Sequence, residues 1–167
     1  DEVINDFAIE PGNAAVPDVT FSYNKKNGVM YGKAFDNRMG CLCVIEIMQR
    51  LKGVSLAVDV VGAFASQEEV GARGAEVTAR EVKPDLAIVF EGSPADDLYY
   101  DEYAAQGCLK KGAQIRYLDR SMVSNPYFIR FAKEIAAEKG IPYQCAVRAQ
   151  GGTNAGKIHV SNKGVPT

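Results

Sequence analysis

The 167-residue sequence contains no tryptophan and a single histidine, His159. It has no excess of basic residues: 19 Lys and Arg stand against 21 Asp and Glu, a formal net charge of −2. A nucleic-acid-binding chain needs a basic footprint, and none is present. Apolar runs are no longer than strands, well below a membrane span, so neither a membrane segment nor a leader with an apolar core is expected. The sequence opens Asp1-Glu2 and not on Met, so the start of the protein is expected upstream. The seven prolines and sixteen glycines are dispersed, which leaves no linker or low-complexity tract. The four cysteines, Cys41, Cys43, Cys108 and Cys145, form no C-x-x-C pair, which argues against a cysteine zinc site. A chain of this size does not need disulfide staples, so free buried thiols in a reducing, cytoplasmic setting are expected.

What is present is an alternation of strand-like and helix-like segments. Asn27-Gly28 signals a turn before a short extended stretch at 29–33. Asp36 is placed to cap a helix over 36–52, whose apolar positions Cys41, Val44, Ile45, Met48 and Leu51 share one face. Residues 55–65 (SLAVDVVGAFA) and 86–90 read as buried strands, with a helix over 71–81 between them. A long loop is expected over 91–111, then strand 113–118. Asn125 followed by Pro126 marks a helix start, and that helix should end near Gly140. A last strand over 142–147 and a short helix after Gly151-Gly152 complete the pattern. Strands alternating with helices predict an α/β layered fold with a largely parallel sheet. Residues 1–30 are polar and fit this pattern poorly, which suggests a different substructure. Met39 and Met48 read as core.

Ligands of open α/β sheets bind beyond the carboxyl ends of strands. Asp36, the pair Glu68-Glu69, and Glu91 all fall at such ends, and His159 lies in the glycine-rich segment GGTNAGKIH. Carboxylates crowded into one crevice repel each other, and divalent cations relieve that repulsion. A mixed carboxylate and imidazole set suits zinc, cobalt or manganese better than calcium. Adjacent glutamates at a bend can divide the work: one holds a metal, the other acts as general base. Taken singly, each residue has a plainer role. A strand-end carboxylate is usually a solvated loop residue, Asp36 a helix cap, and a lone histidine structural. Residue types and spacing therefore stop at an α/β domain with an acidic, metal-capable crevice.

Four strings in order, GKAFDNRMGC (Gly32–Cys41), SQEEVGARGA (Ser66–Ala75), VFEGSPADD (Val89–Asp97) and GGTNAGKIHVSNKGVPT (Gly151–Thr167), resemble the M42 family of dinuclear metallo-aminopeptidases. The resemblance implies a three-layer sandwich, with a largely parallel mixed sheet flanked by helices. It implies two divalent ions, zinc or cobalt, and hydrolysis of N-terminal residues from peptides. Asp36 would bridge the ions, Glu69 and His159 would hold one, and Glu91 the other. Glu68 would be the catalytic base, with Asn37 and Arg38 bracing the ligands. Asn154 stands where the family more often has Asp. The family also uses a histidine upstream of the bridging aspartate, which this sequence lacks. Residues 1–30 would be the remnant of an inserted β-rich domain, and 31–167 a peptidase domain incomplete at both ends. A fragment of this kind is expected to bind one ion or none and to turn over little, while its parent forms homo-oligomers from dimers to dodecamers. The competing readings are a metal-independent, cellulase-like glycoside hydrolase and a catalytically dead scaffold.

Overall fold

The structure, a computed structural model, describes residues 2–167. The chain divides into two compact units, Asp1–Phe35 and Asp36–Thr167.

In the first unit a short helix α1 (Glu2–Phe7) precedes an antiparallel pair, β1 (Ser22–Asn24) and β2 (Val29–Tyr31). The hairpin turn is built by asparagine side chains, as expected where Asx turns compete with regular backbone. Asn24 Oδ1 accepts from the Lys26 amide at 3.0 Å, and Asn27 Oδ1 accepts from the Val29 amide at 3.1 Å.

All of helix α2 (Phe35–Leu51) but its first residue belongs to the second unit; its backbone leaves helical geometry at Asp36 and Asn37, and the peptide bond joining these two is cis. The regular helix therefore starts after Asn37, and the cap is Asn37 rather than Asp36. Asn37 Oδ1 accepts from the Gly40 amide at 2.8 Å, the usual reach from an N-cap to the third helical residue. Glycine is required there, since a Cβ on residue 40 would collide with Asn37 Oδ1. With Asn37 as the cap, the Asp36 carboxylate is free for other partners.

Helix α3 (Arg73–Val82) buries Ala75 and Ala79 and packs on the last helix, α5 (Ala155–Ile158), where Ala155 is buried in turn. Small side chains on both elements allow the close approach. Lys157 Nζ lies 3.2 Å from a Glu76 oxygen, and Asn162 Nδ2 donates to Ala79 O at 3.0 Å.

Strand β3 (Ala113–Leu118), helix α4 (Pro126–Glu138) and strand β4 (Tyr143–Val147) form a βαβ unit, with the strands paired parallel from Ala113↔Tyr143 to Leu118↔Val147. An irregularity between Arg116 and Leu118 shifts the register. Asn125 caps α4 as its position before Pro126 predicts, its Oδ1 accepting from Tyr127 N at 3.0 Å and Phe128 N at 3.2 Å.

Two expected strands are corrected. Among the described residues, 55–65 pairs with no other backbone, and 86–90 makes one backbone bond, from Ala87 N to Pro166 O at 3.0 Å. Neither is buried: Val58 is 68% exposed and Ile88 64%. An apolar run signals a demand for burial, but a strand forms only where a neighbour supplies the ladder. The expectation that Met39, Met48 and the thiols lie in a core fails for the same reason. Met39 and Met48 are exposed on α2, as are Cys41 on α2 and Cys145 on β4. The cysteines are all unpaired. Residues of α2 and of the segment 54–64 line an open apolar groove of about 690 Å³, which none of the acidic candidates touches. No helix of the described residues is long and apolar enough to cross a membrane.

Candidate active site

Asp36 sits at the kink that opens α2. Gly92 lies directly against it: a Cβ at residue 92 would stand 2.7 Å from the Asp36 carboxyl carbon. Its neighbour Glu91 is therefore brought to Asp36 by a close approach that only glycine permits.

The Glu91 carboxylate is held from two sides. Asn37 Nδ2 donates to Glu91 Oε2 at 3.2 Å and to Phe90 O at 2.5 Å, while the Asn154 amide donates to Glu91 Oε1 at 2.9 Å. Asn37 thus caps α2 with its oxygen and fixes Glu91 with its nitrogen. Burial pushes the Glu91 carboxyl above the usual carboxylate range. The charges of Glu68 and Asp36 push it the same way, against the Asn154 amide and the Arg116 guanidinium.

Glu68 occupies a tight turn between residue 65 and α3. Its carbonyl accepts from the amides of Gly71 at 3.0 Å and Ala72 at 2.8 Å. The side chain is half-buried, and its pKa is raised by burial first and then by the charges of Glu69 and Asp36. Asp36, Glu68 and Glu91 come from three separate segments; the charge of Asp36 acts on both Glu68 and Glu91, and that of Glu68 on Glu91. Glu69 is exposed beside Glu68.

His159 follows α5. Its Nδ1 lies 3.0 Å from Ala155 O. A carbonyl can only accept, so Nδ1 donates in this contact and Nε2 is the nitrogen left over for a ligand. No described contact joins His159 to the carboxylates, and no group of three His, Cys, Asp or Glu side chains is close enough to hold a metal ion among the described residues. The chemistry of Asp36, Glu68 and Glu91 fits a divalent cation, which would relieve the like charge and burial that raise Glu68 and Glu91. Asn154 Oδ1 is buried with no hydrogen-bond partner among the described residues, on the residue whose amide holds Glu91.

Arg38 is exposed and forms no ion pair among the described residues. The cation felt by Glu91 is Arg116 of β3, which the sequence reading passed over. No local pattern singles it out, because its role comes from contacts between β3 and the segment that follows residue 90. Gly92 was also missed, although it directly follows a candidate ligand.

The model of the M42 glutamyl aminopeptidase family matches residues 1–167. The chain belongs to this family. The glutamyl aminopeptidase of Lactococcus lactis subsp. cremoris (strain MG1363) is 35% identical over 164 residues, which is 97% of this chain and 44% of that protein. A solved TET aminopeptidase from the marine sediment archaeon Thaumarchaeota archaeon SCGC AB-539-E09 is 39% identical with a TM-score of 0.82, over 87% of this chain and 42% of its own. The TET1 peptidase of Pyrococcus horikoshii, described as assembling into a tetrahedron or a large octahedral shell, is 30% identical with a TM-score of 0.69, over 86% of this chain and 42% of its own. The chain therefore spans about half the length of the M42 relatives it matches. The match gives no support to a glycoside hydrolase.

Proposed function

We propose that this chain carries the catalytic centre of a metal-dependent aminopeptidase that removes residues from the N-terminus of peptides. The single observation behind this reading is that Asp36, Glu68 and Glu91 are gathered from separate segments, with Glu68 and Glu91 raised above the usual carboxylate range. That arrangement is unfavourable without a cation and useful with one. Asp36 would be shared by two ions, zinc or cobalt, with Glu69 and His159 on one and Glu91 on the other. Bound cations would neutralise the carboxylates and supply the Lewis acidity that makes water a nucleophile near neutral pH.

The protein's own part is orientation and proton movement. Glu68 Oε takes a proton from water and returns it to the leaving amine; its raised pKa brings it closer to the working pH of a general base. Asn37 and the Asn154 amide hold Glu91 in place, and Ala155 O holds the His159 tautomer.

The finer fold reading is a three-layer sandwich of which β3 and β4 are a part, with 1–30 the remnant of an inserted β-rich domain and 31–167 the peptidase domain. The likeness to an oligomeric Pyrococcus peptidase supports a homo-oligomeric parent. A cytoplasmic setting suits the unpaired thiols. With one histidine in the chain, one cation would rest on carboxylates alone and bind more weakly.

A zinc titration, with aminoacyl-p-nitroanilide turnover followed before and after EDTA, tests the reading. It requires cation binding and slow turnover that EDTA abolishes. Glu68→Gln should lower kcat by about 10²-fold or more while cation binding persists. Turnover that survives EDTA, or the absence of any cation binding, overturns it.

A further inference from the structure

We propose that Ser121, held by the buried Asp119, is a positioning residue that sets the place of the glycine-rich loop carrying Asn154 and leading to His159. The role toward cations rests on the functional reading above; the mechanical role does not.

The carboxyl ends of β3 and β4 lie side by side. After β3 the chain makes a tight hairpin, and after β4 it enters the loop 148–154. The Asp119 side chain is fully buried. Its Oδ1 accepts from Ser121 N and Ser121 Oγ, both at 2.7 Å, and from Met122 N at 3.1 Å. Its Oδ2 accepts from Arg116 Nη1 at 3.2 Å. Ser121 therefore has its hydroxyl proton committed to Asp119, so its oxygen can only accept from other groups. The donor supplied is the Thr153 amide at 3.4 Å, a long bond.

Packing carries more of the load than that bond. A Cβ added at Gly156 would stand 2.5 Å from both Ser121 Cβ and Oγ, and one at Gly152 would stand 3.1 Å from each. Ser121 thus lies directly on two glycines of GGTNAG. Between those glycines, the Asn154 amide donates to Glu91 Oε1. Just after them, Ala155 O holds the His159 ring. A second arm reaches Glu91 from the other side, since Arg116 Nη2 donates to Ser93 Oγ at 3.4 Å, two residues beyond Glu91. One buried carboxylate therefore steadies both flanks of a candidate ligand.

Gly156→Ala separates this contact from a general effect on folding. Gly156 lies in α5 and its φ is not positive, so helix propensity alone favours alanine by about 1 kcal/mol. The collision with Ser121 acts the other way. Amide hydrogen exchange over 151–158 is followed together with Co²⁺ affinity, in the wild-type chain, Gly156→Ala, and the double variant Ser121→Gly/Gly156→Ala. The expected result is faster exchange over 151–158 in Gly156→Ala, with Co²⁺ affinity lowered about 10-fold or more. Both should return toward wild type when Ser121→Gly makes room. Unchanged exchange in Gly156→Ala overturns the proposal, and so does a defect that Ser121→Gly fails to relieve. Altered exchange with unaltered Co²⁺ affinity overturns the link to cation binding. If the wild-type chain binds no Co²⁺, the functional reading fails and the exchange data alone decide the mechanical role.

Discussion

Gly92→Ala should damage the site more than the fold. The new Cβ would stand 2.7 Å from Asp36 Cγ, 2.8 Å from its Cβ and 2.9 Å from its Oδ1. Carbon atoms rest comfortably at about 3.5 Å or more, so the Asp36 side chain and residue 92 must part by about 0.8 Å. Rotating the carboxylate does not relieve the contact with Asp36 Cβ, which is fixed to the backbone, so the opening of α2 or the 90–93 segment must move. Overpacking of this kind costs about 1–3 kcal/mol. In a chain of this size that corresponds to a fall in Tm of about 3–10 °C. The larger effect is on placement, because a shift approaching 1 Å at a reacting group costs about 10²-fold in rate. Circular dichroism melting reads the first effect; a Co²⁺ titration and aminoacyl-p-nitroanilide turnover read the second. Gly53→Ala is the control: residue 53 has φ +78° and nothing within 4 Å of a new Cβ, so strain should lower Tm without touching Co²⁺ affinity. The reasoning is refuted if Gly92→Ala melts and binds Co²⁺ as the wild type does.

Further perturbations address separate contacts. Asn37→Asp keeps the oxygen that caps α2 but removes the donor to Glu91 and adds a like charge beside it, so Tm should fall by less than in Asn37→Ala while cation binding changes in both. Asn37→Ala loses the cap, worth about 1 kcal/mol; equal Tm values for the two variants would show that the cap contributes nothing. Asp96 is held below the usual carboxylate range, chiefly by its hydrogen bonds from Arg148, with further help from the Gln106 and Gly107 amides. A carboxyl depressed in the folded state contributes its stability above its unfolded pKa of about 3.9, and that stability is lost as pH falls through the folded value. Arg148→Ala should therefore lower Tm at pH 7 and converge on wild type at strongly acid pH; a constant difference across the pH range would contradict this.

Local signals in the sequence were sound where the element closes on itself. Asn125-Pro126 predicted α4 because a cap and a proline at the first turn need only their own helix. Strand 113–118 found a parallel partner in β4, which lies within the same βαβ unit. The apolar runs at 55–65, rich in β-branched residues, and 86–90 predict strands, yet a strand is defined by its neighbour, and no described segment supplies one. Asp36 was read as the α2 cap because cap preference does not distinguish adjacent Asp and Asn; the backbone kink gives that role to Asn37. The acidic candidates were legible because strand ends are where α/β folds place chemistry. Arg116, Asp119 and Ser121 were not, since their importance comes from contacts between β3, the hairpin after it and the loop after β4, and no local pattern encodes those.

The decisive measurement is anomalous diffraction at the zinc and cobalt absorption edges, on crystals grown with each metal. The account predicts a peak bounded by Asp36, Glu69 and His159 Nε2, and a second of lower occupancy between carboxylate oxygens of Asp36 and Glu91. Peaks confined to other surfaces, with Asp36 and Glu91 unchanged at saturating metal, would contradict it.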